Sequence, residues 1–192
     1  MRRIGFNILI LCFILILPYE ASARSRQSQN DNGENNKYAS IIVDADTGTV
    51  LSEKNPNKRL HPASLTKVMT LMLLFEAMES GEVRLNDKIR ISAHAAAQQP
   101  SKLGLKPGSF IRVEDAILAI VTKSANDIAV AVGEHLAGSE SRFAQRMSRR
   151  AHDIGMSRTM FINASGLHDP RQITTARDMA TLARYVLVRF PN

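Results

Sequence analysis

The pattern of apolar and polar residues begins with a distinct N-terminal segment. Residues 4–17 are almost all apolar, they follow Arg2 and Arg3, and Ala21-Ser22-Ala23 comes after them as a cleavage site of small residues. A helix that spans a bilayer needs about 20 apolar residues, and this run is shorter. The pattern therefore predicts a signal peptide over residues 1–23, with a retained N-terminal anchor as the alternative.

A polar stretch separates this segment from the rest of the chain. Residues 24–37 read RSRQSQNDNGENNK and contain no apolar side chain, so they are predicted to form a flexible polar leader. From Tyr38 onward apolar residues recur, and residues 38–192 are numerous enough to form one domain with its own core. We therefore expect an exported protein with a single folded domain.

The apolar spacing after residue 38 predicts a hairpin followed by helices. Two short apolar runs, residues 39–43 and 50–51, flank a turn near Gly48 and predict a β-hairpin. The longest apolar stretch covers nearly every face of a helix, which predicts a buried helix from Ser64 to about Ser80. A further strand is predicted at 88–91, and further helices at 113–122, 126–138, 139–154 and 175–188.

Composition narrows the chemistry that the domain can carry. Cys12 is the only cysteine and lies in the predicted signal peptide, so the mature chain is expected to have neither a disulfide nor a thiolate. The five histidines form no i, i+4 pair and no carboxylate grouping at metal-ligand spacing, so no metal and no cofactor is predicted. The net charge is +7, but the basic residues are scattered without interleaved aromatics. That distribution argues against nucleic acid and leaves open a peripheral association with an anionic membrane or cell wall.

The first of two motifs with candidate chemistry is Ser64-Leu65-Thr66-Lys67. Residues three apart share one face of a helix, so Lys67 can reach the Ser64 hydroxyl. A serine becomes a good nucleophile when a neighbouring base takes its proton, and serine–lysine pairs are a known variant of the catalytic triad. We predict Ser64 as the nucleophile and Lys67 as the base, with a pKa lowered by burial. The structural alternative is a helix N-cap serine followed by an exposed first-turn lysine.

The second motif, Ser124-Ala125-Asn126, lies where one predicted helix ends and the next begins. A junction of this kind can project side chains into a cleft. Ser124 is predicted to be catalytic and to pass the proton on to the leaving amine. Asn126 is predicted to hold the substrate backbone or Lys67 through its amide, with a helix N-cap as the alternative.

Together the two motifs resemble those of the exported D-alanyl-D-alanine carboxypeptidases, the low-molecular-mass penicillin-binding proteins, in which S-x-x-K is followed by a second, serine-containing motif. The resemblance runs from about Tyr38 to the C-terminus and also includes Tyr38-Ala39-Ser40, Asp46-Thr47-Gly48, His61-Pro62-Ala63, Pro100-Ser101-Lys102-Leu103-Gly104-Leu105, Asp127, Phe161, Asn163, Gly166-Leu167 and Ala176-Arg177-Asp178-Met179-Ala180. It implies an α/β (α+β) fold of the penicillin-binding protein/β-lactamase-like transpeptidase type, in which a helical cluster packs on an antiparallel sheet.

The family resemblance also implies an activity. In these enzymes the motif serine is acylated by the penultimate D-Ala of a peptidoglycan stem peptide, the motif lysine is the base, and the terminal D-Ala leaves. The implied partners are stem peptides ending in D-Ala-D-Ala, with β-lactam antibiotics as covalent inhibitors. The implied location is the periplasm or the outer face of the bacterial cytoplasmic membrane, where the enzyme would act in cell-wall synthesis and remodelling.

The sequence departs from the family pattern at the K-T-G motif, which is absent. In the family that strand follows the last helix, supplies an oxyanion donor and belongs to the part of the sheet that holds three of its five strands. We therefore expect a partial domain over residues 38–192 that lacks the C-terminal sheet strands. The alternatives are a catalytically impaired peptidoglycan- or penicillin-binding remnant and, less favoured, a class A β-lactamase, since Ala125 stands where those enzymes carry aspartate.

Overall fold

The computed structural model describes residues 38–191 of the chain. The signal peptide and the polar leader predicted for residues 1–37 lie outside the described residues. The described strands are β1 (Ser40–Val43), β2 (Val50–Lys54), β3 (Lys88–Arg90) and β4 (Phe110–Arg112). The described α-helices are α1 (Thr66–Glu79), α2 (Ala93–Ala96), α3 (Val113–Lys123), α4 (Asn126–Ala137), α5 (Glu140–Asp153) and α6 (Ala176–Arg189).

The predicted hairpin is confirmed as β1 paired antiparallel with β2, with Ser40 opposite Lys54. Its turn forms because the Asp44 carboxylate accepts hydrogen bonds from the backbone N–H and the hydroxyl of Thr47, both at 2.7 Å. Helix α6 packs against β1, and Arg184 donates to the backbone carbonyl of Ala45 in the turn. A second antiparallel pair, β3 with β4, places Ile89 opposite Ile111, and both side chains are buried.

Helices α1 and α4 form the centre of the core. Nine of the twelve residues of α4 and eight of the fourteen residues of α1 are buried. The burial of α1 agrees with the apolar pattern after Ser64. Helix α5 approaches α4 closely because Gly133 has no side chain. A Cβ at that position would lie 2.7 Å from the ring of Phe143, which is itself fully buried.

The predicted helix boundaries agree with the observed ones to within a few residues, with one informative difference. The helix predicted from Ser64 is preceded by a 3₁₀ turn, Ala63–Leu65, and α1 itself starts at Thr66. Ala63 adopts a left-handed conformation with φ of 47°, which bends the chain just before the serine. No helix within residues 38–191 is long and apolar enough to cross a membrane.

Candidate active site

The Ser64 side chain lies on the 3₁₀ turn that leads directly into α1, and the residue is exposed. The turn forms because Leu65 N–H bonds to the carbonyl of Pro62, and Thr66 N–H then bonds to the carbonyls of Ala63 and Ser64. The Ser64 hydroxyl caps no helix, because the N-cap of α1 is Leu65 and no side chain bonds there. The structural alternative of an N-cap serine is therefore wrong.

Lys67 is buried in the first turn of α1, with 4% of its surface exposed. The alternative of an exposed lysine is wrong as well. Its Nζ donates to the side-chain oxygen of Asn126 at 2.7 Å and to the backbone carbonyl of Ser165 at 2.6 Å. The Ser64 Oγ is 3.5 Å from the same nitrogen, longer than a standard hydrogen bond but within reach of a small rotamer change.

Burial determines the protonation of this lysine. Both of its short hydrogen bonds end on neutral oxygens, and no carboxylate forms an ion pair with it among the described residues. Removing the ammonium from water disfavours its charged form, so burial lowers the pKa of Lys67 to about 8. An amine with this pKa is partly neutral near pH 7 and can accept a proton from Ser64.

The second motif meets the first through Asn126. Its side-chain oxygen accepts from Lys67, and its Nδ2 donates to the carbonyl of Gln99 at 2.9 Å. Asn126 is the first residue of α4 rather than its N-cap, which is Ala125, so the N-cap alternative is wrong. Both the oxygen and the nitrogen of the Asn126 amide are therefore hydrogen-bonded within the protein. Of the two predicted roles, this geometry favours holding Lys67 over binding the substrate backbone.

Ser124 ends α3 in a left-handed conformation with φ of 54°. This backbone state is costly for a serine, and such strain concentrates where side chains must be presented to a functional site. Its hydroxyl makes no hydrogen bond to another residue within 38–191, although it lies two residues from Asn126. No described hydrogen bond within 38–191 links the Ser124 side chain to Ser64 or Lys67, so its catalytic role stays a prediction.

A third contributor to the Lys67 site, outside both sequence motifs, is the turn of residues 163–167. The Ser165 carbonyl that binds Lys67 is a backbone group and leaves no residue-type signal in the sequence. The turn forms because Asn163 Oδ1 accepts from the N–H of Gly166 at 2.7 Å and its Nδ2 donates to the carbonyl of Leu167 at 2.8 Å. The sequence signals for this turn were the Asn-x-x-Gly spacing, a common turn pattern, and the place of Asn163 and Gly166-Leu167 in the family resemblance.

Gly166 allows this turn to approach the serine. Its φ is 89°, and a Cβ there would fall well inside van der Waals contact with the Ala63 carbonyl oxygen. The turn and the serine-bearing segment are therefore in backbone contact, which fixes the position of Ser165 relative to α1.

Within residues 38–191 no histidine hydrogen-bonds to the side chains of Ser64, Lys67 or Asn126. The rings of His61 and His168 meet edge to face with centroids 5.2 Å apart, and His61 Nδ1 bonds to the carbonyl of Gln172. Within residues 38–191 no group of three metal-ligating side chains comes together. What the described side chains assemble is a serine beside a partly neutral amine, an arrangement suited to acyl transfer.

Solved structures define the class of protein first. The D-alanyl-D-alanine carboxypeptidase DacD from Francisella tularensis matches with a TM-score of 0.78 and 37% identity, over 80% of this chain and 37% of that one. Penicillin-binding protein D2 from Listeria monocytogenes, in its ampicillin-bound form, matches with a TM-score of 0.67 and 29% identity, over 81% of this chain and 63% of that one. The fold is that of the penicillin-binding proteins, as the motif resemblance implied.

Sequence comparison then gives the family. The family model described as D-alanyl-D-alanine carboxypeptidase, peptidase S11, matches residues 25–192. The D-alanyl-D-alanine carboxypeptidase DacF of Bacillus subtilis is 36% identical over 97% of this chain. The chain belongs to the D-alanyl-D-alanine carboxypeptidase family. It covers 48% of the Bacillus subtilis protein, and so spans about half the length of that relative.

Proposed function

We propose that this chain carries the acylation site of a serine-type D-Ala-D-Ala carboxypeptidase that trims peptidoglycan stem peptides. The observation that carries the proposal is the Ser64–Lys67 pair. Lys67 is buried and donates to Asn126 and to the Ser165 carbonyl, and burial lowers its pKa to about 8. Family membership supports the same activity. The proposal includes export, action in the periplasm or at the outer face of the bacterial cytoplasmic membrane, and a peripheral association with the membrane.

The proposed reaction follows from the proton positions. Ser64 Oγ attacks the carbonyl of the penultimate D-Ala while its proton moves to the neutral Nζ of Lys67. The bond to the terminal D-Ala nitrogen then breaks, and Ser124 relays a proton to that leaving amine. Water hydrolyses the resulting ester and regenerates the Ser64 hydroxyl. The positive end of α1 lies beside the developing negative charge and lowers its energy.

A β-lactam would be attacked in the same way, and the ampicillin-bound form of the Listeria monocytogenes protein supports penicillin as a ligand. The β-lactamase alternative requires a glutamate downstream of the second motif that can activate water. Two glutamates follow the second motif, Glu134 within α4 and then Glu140, the last glutamate in the sequence. Its carboxylate is engaged by His94 at 2.7 Å and by the backbone N–H of Ala164 at 3.1 Å. These contacts favour a structural role for Glu140 and make the β-lactamase the less favoured alternative.

Labelling with a fluorescent penicillin tests the acylation step. We expect a covalent adduct that maps to the peptide containing Ser64 and that Ser64→Ala abolishes, with an unchanged melting temperature because the residue is exposed and caps no helix. Ser124→Ala is the matched serine variant and should keep the label, formed more slowly. An adduct that persists in Ser64→Ala, or one that maps to Ser124, would contradict the assignment of the nucleophile.

A second experiment separates the carboxypeptidase from the penicillin-binding remnant. D-Ala release from a diacyl-D-Ala-D-Ala peptide is measured for the 192-residue chain and for a fusion to the C-terminal half of Bacillus subtilis DacF. The sequence has no K-T-G, and loss of one oxyanion donor costs about 10²–10³ in rate. We expect slow release by the chain and a gain of at least that order in the fusion. Labelling without turnover in both proteins would favour the remnant.

A further inference from the structure

The backbone of Ala164, the residue before Ser165, is held by side chains from two different helices. The N–H of Ala164 donates to Glu140 Oε1 at 3.1 Å, and its carbonyl accepts from the Thr70 hydroxyl at 2.7 Å. Glu140 belongs to α5 and Thr70 to α1. Both hydrogen-bonding groups of one residue in the turn are therefore fixed from outside the turn.

These two bonds have no replacement from solvent. Ala164 and Thr70 are fully buried, and Ser165 is 1% exposed. A buried backbone group that loses its partner costs free energy, so the turn would shift to find another partner or admit water. Ser165 follows Ala164 directly, so a shift of the turn would also displace the Ser165 carbonyl, which accepts from Lys67 at 2.6 Å.

Glu140 does more than place a negative charge at a helix N-terminus. The hydroxyl of Ser139 already caps α5, by accepting from the N–H of Arg142. The Glu140 side chain is only 15% exposed, and its two oxygens bind different partners, Ala164 on one and His94 on the other. A carboxylate that served the helix dipole alone would not need either contact.

Thr70 adds a geometric link to the base itself. Lys67 and Thr70 are three residues apart on α1, so their side chains leave the same face of the helix. They bind consecutive carbonyls, Ala164 to Thr70 and Ser165 to Lys67. Helix α1 therefore holds the turn at two adjacent carbonyls, while Glu140 of α5 holds the N–H of Ala164.

We infer that Glu140 and Thr70 are positioning residues for the Lys67 base, which they serve by holding Ala164 so that the Ser165 carbonyl meets the Lys67 amine. Neither touches the reacting atoms. The inference rests on the proposed function for its meaning in catalysis, but the positioning itself is a property of the folded chain. This role explains why Glu140, in the first turn of α5, accepts from the Ala164 N–H.

The test reads the ionisation of Lys67 directly. In the 192-residue protein, the ¹⁵Nζ and ¹³Cε signals of Lys67, assigned by their loss in Lys67→Arg, are followed by NMR against pH. The pKa of Lys67 should be near 8 in the parent protein because of burial. In Glu140→Ala the turn loosens and water reaches the amine, so the midpoint should rise toward that of a solvated lysine by about one pH unit. Thr70→Val should shift it in the same direction.

Two variants separate positioning from general destabilisation. Glu140→Gln keeps an oxygen for the Ala164 N–H and loses the charge and the oxygen that meets His94, which is outside the turn, so it should titrate like the parent. Glu76→Ala is the matched control, since Glu76 is similarly covered at 21% exposure and bonds to Arg150 and Tyr185 at the far end of α1. It should reduce stability and leave the Lys67 midpoint unchanged.

The expected kinetic result is a fall of about tenfold or more in penicillin acylation at pH 7 for Glu140→Ala, restored in Glu140→Gln. An unchanged Lys67 midpoint in Glu140→Ala would overturn the inference, as would an equal shift in Glu76→Ala or a failure of Glu140→Gln to restore the parent behaviour. If the parent protein takes no label at all, the proposed function fails, while the NMR titration still decides whether Glu140 positions Lys67.

Discussion

The pH dependence of acylation follows directly from the burial of Lys67. The residue acts as a base only when its amine is neutral, and burial lowers its pKa from 10.5 to about 8. The neutral, active form therefore accumulates as the pH rises through 8. We expect the second-order rate constant for penicillin acylation to increase from pH 6 and to level off above about pH 9.

The two pKa values of Lys67, 10.5 and about 8, give the expected change in acylation rate. With a pKa of about 8, the neutral fraction of Lys67 is about one tenth at pH 7. With the ordinary value of 10.5 it would be about 300-fold smaller at the same pH. Between pH 6 and pH 8 the neutral fraction, and with it the acylation rate, should rise about 50-fold.

The assay is a time course of labelling with a fluorescent penicillin at low probe concentration, read on gels from pH 6 to pH 9.5. Hydrolysis of the probe without protein and circular dichroism at each pH provide the controls. Lys67→Arg retains the charge but cannot lose a proton near neutral pH, so it should take no label across the range.

Two results would refute this reasoning. A rate that is flat between pH 6 and pH 9 would show that Lys67 does not act through its neutral form. A rate that still rises tenfold per pH unit beyond pH 9 would show a lysine of ordinary pKa, and hence a solvated site. Parent-like labelling of Lys67→Arg would show that the residue supplies charge alone.

Two stability predictions concern the backbone around the site. Gly166→Ala should lower the free energy of unfolding by about 2–4 kcal/mol, since the new Cβ meets the Ala63 carbonyl and the φ of 89° is left-handed. Gly155→Ala is the matched control, because its φ is 93° and the space around its Cβ is open. In urea unfolding it should cost only about 1 kcal/mol. Equal losses in the two variants would contradict the importance of the contact between Gly166 and the Ala63 carbonyl. Asp127→Asn should cost about 1–3 kcal/mol, because the buried carboxylate accepts from the N–H groups of Leu103 and Gly104 on separate oxygens and an amide can serve only one. Hydrogen exchange at those two amides should accelerate, and unchanged exchange would show that other contacts hold this loop.

Much of the local structure was determined by the sequence alone. The Ser-x-x-Lys spacing placed the nucleophile and the base on one helix face, since three residues make nearly one turn. The caps of α5 and α6 are equally local, because the hydroxyls of Ser139 and Thr175 accept from N–H groups three residues ahead. The hairpin followed from its turn residues in the same way.

Tertiary structure decided which groups surround the base. Lys67 binds Asn126, 59 residues away, and the Ser165 carbonyl, 98 residues away. The motif spacing suggested the first partner, but no pattern could suggest the second, because every residue has a backbone carbonyl. Which carbonyl reaches Lys67 depends on the packing of α1 against α5 and on the room left by Gly166. The lowered pKa has the same origin, since burial is created only when distant segments come together and exclude water.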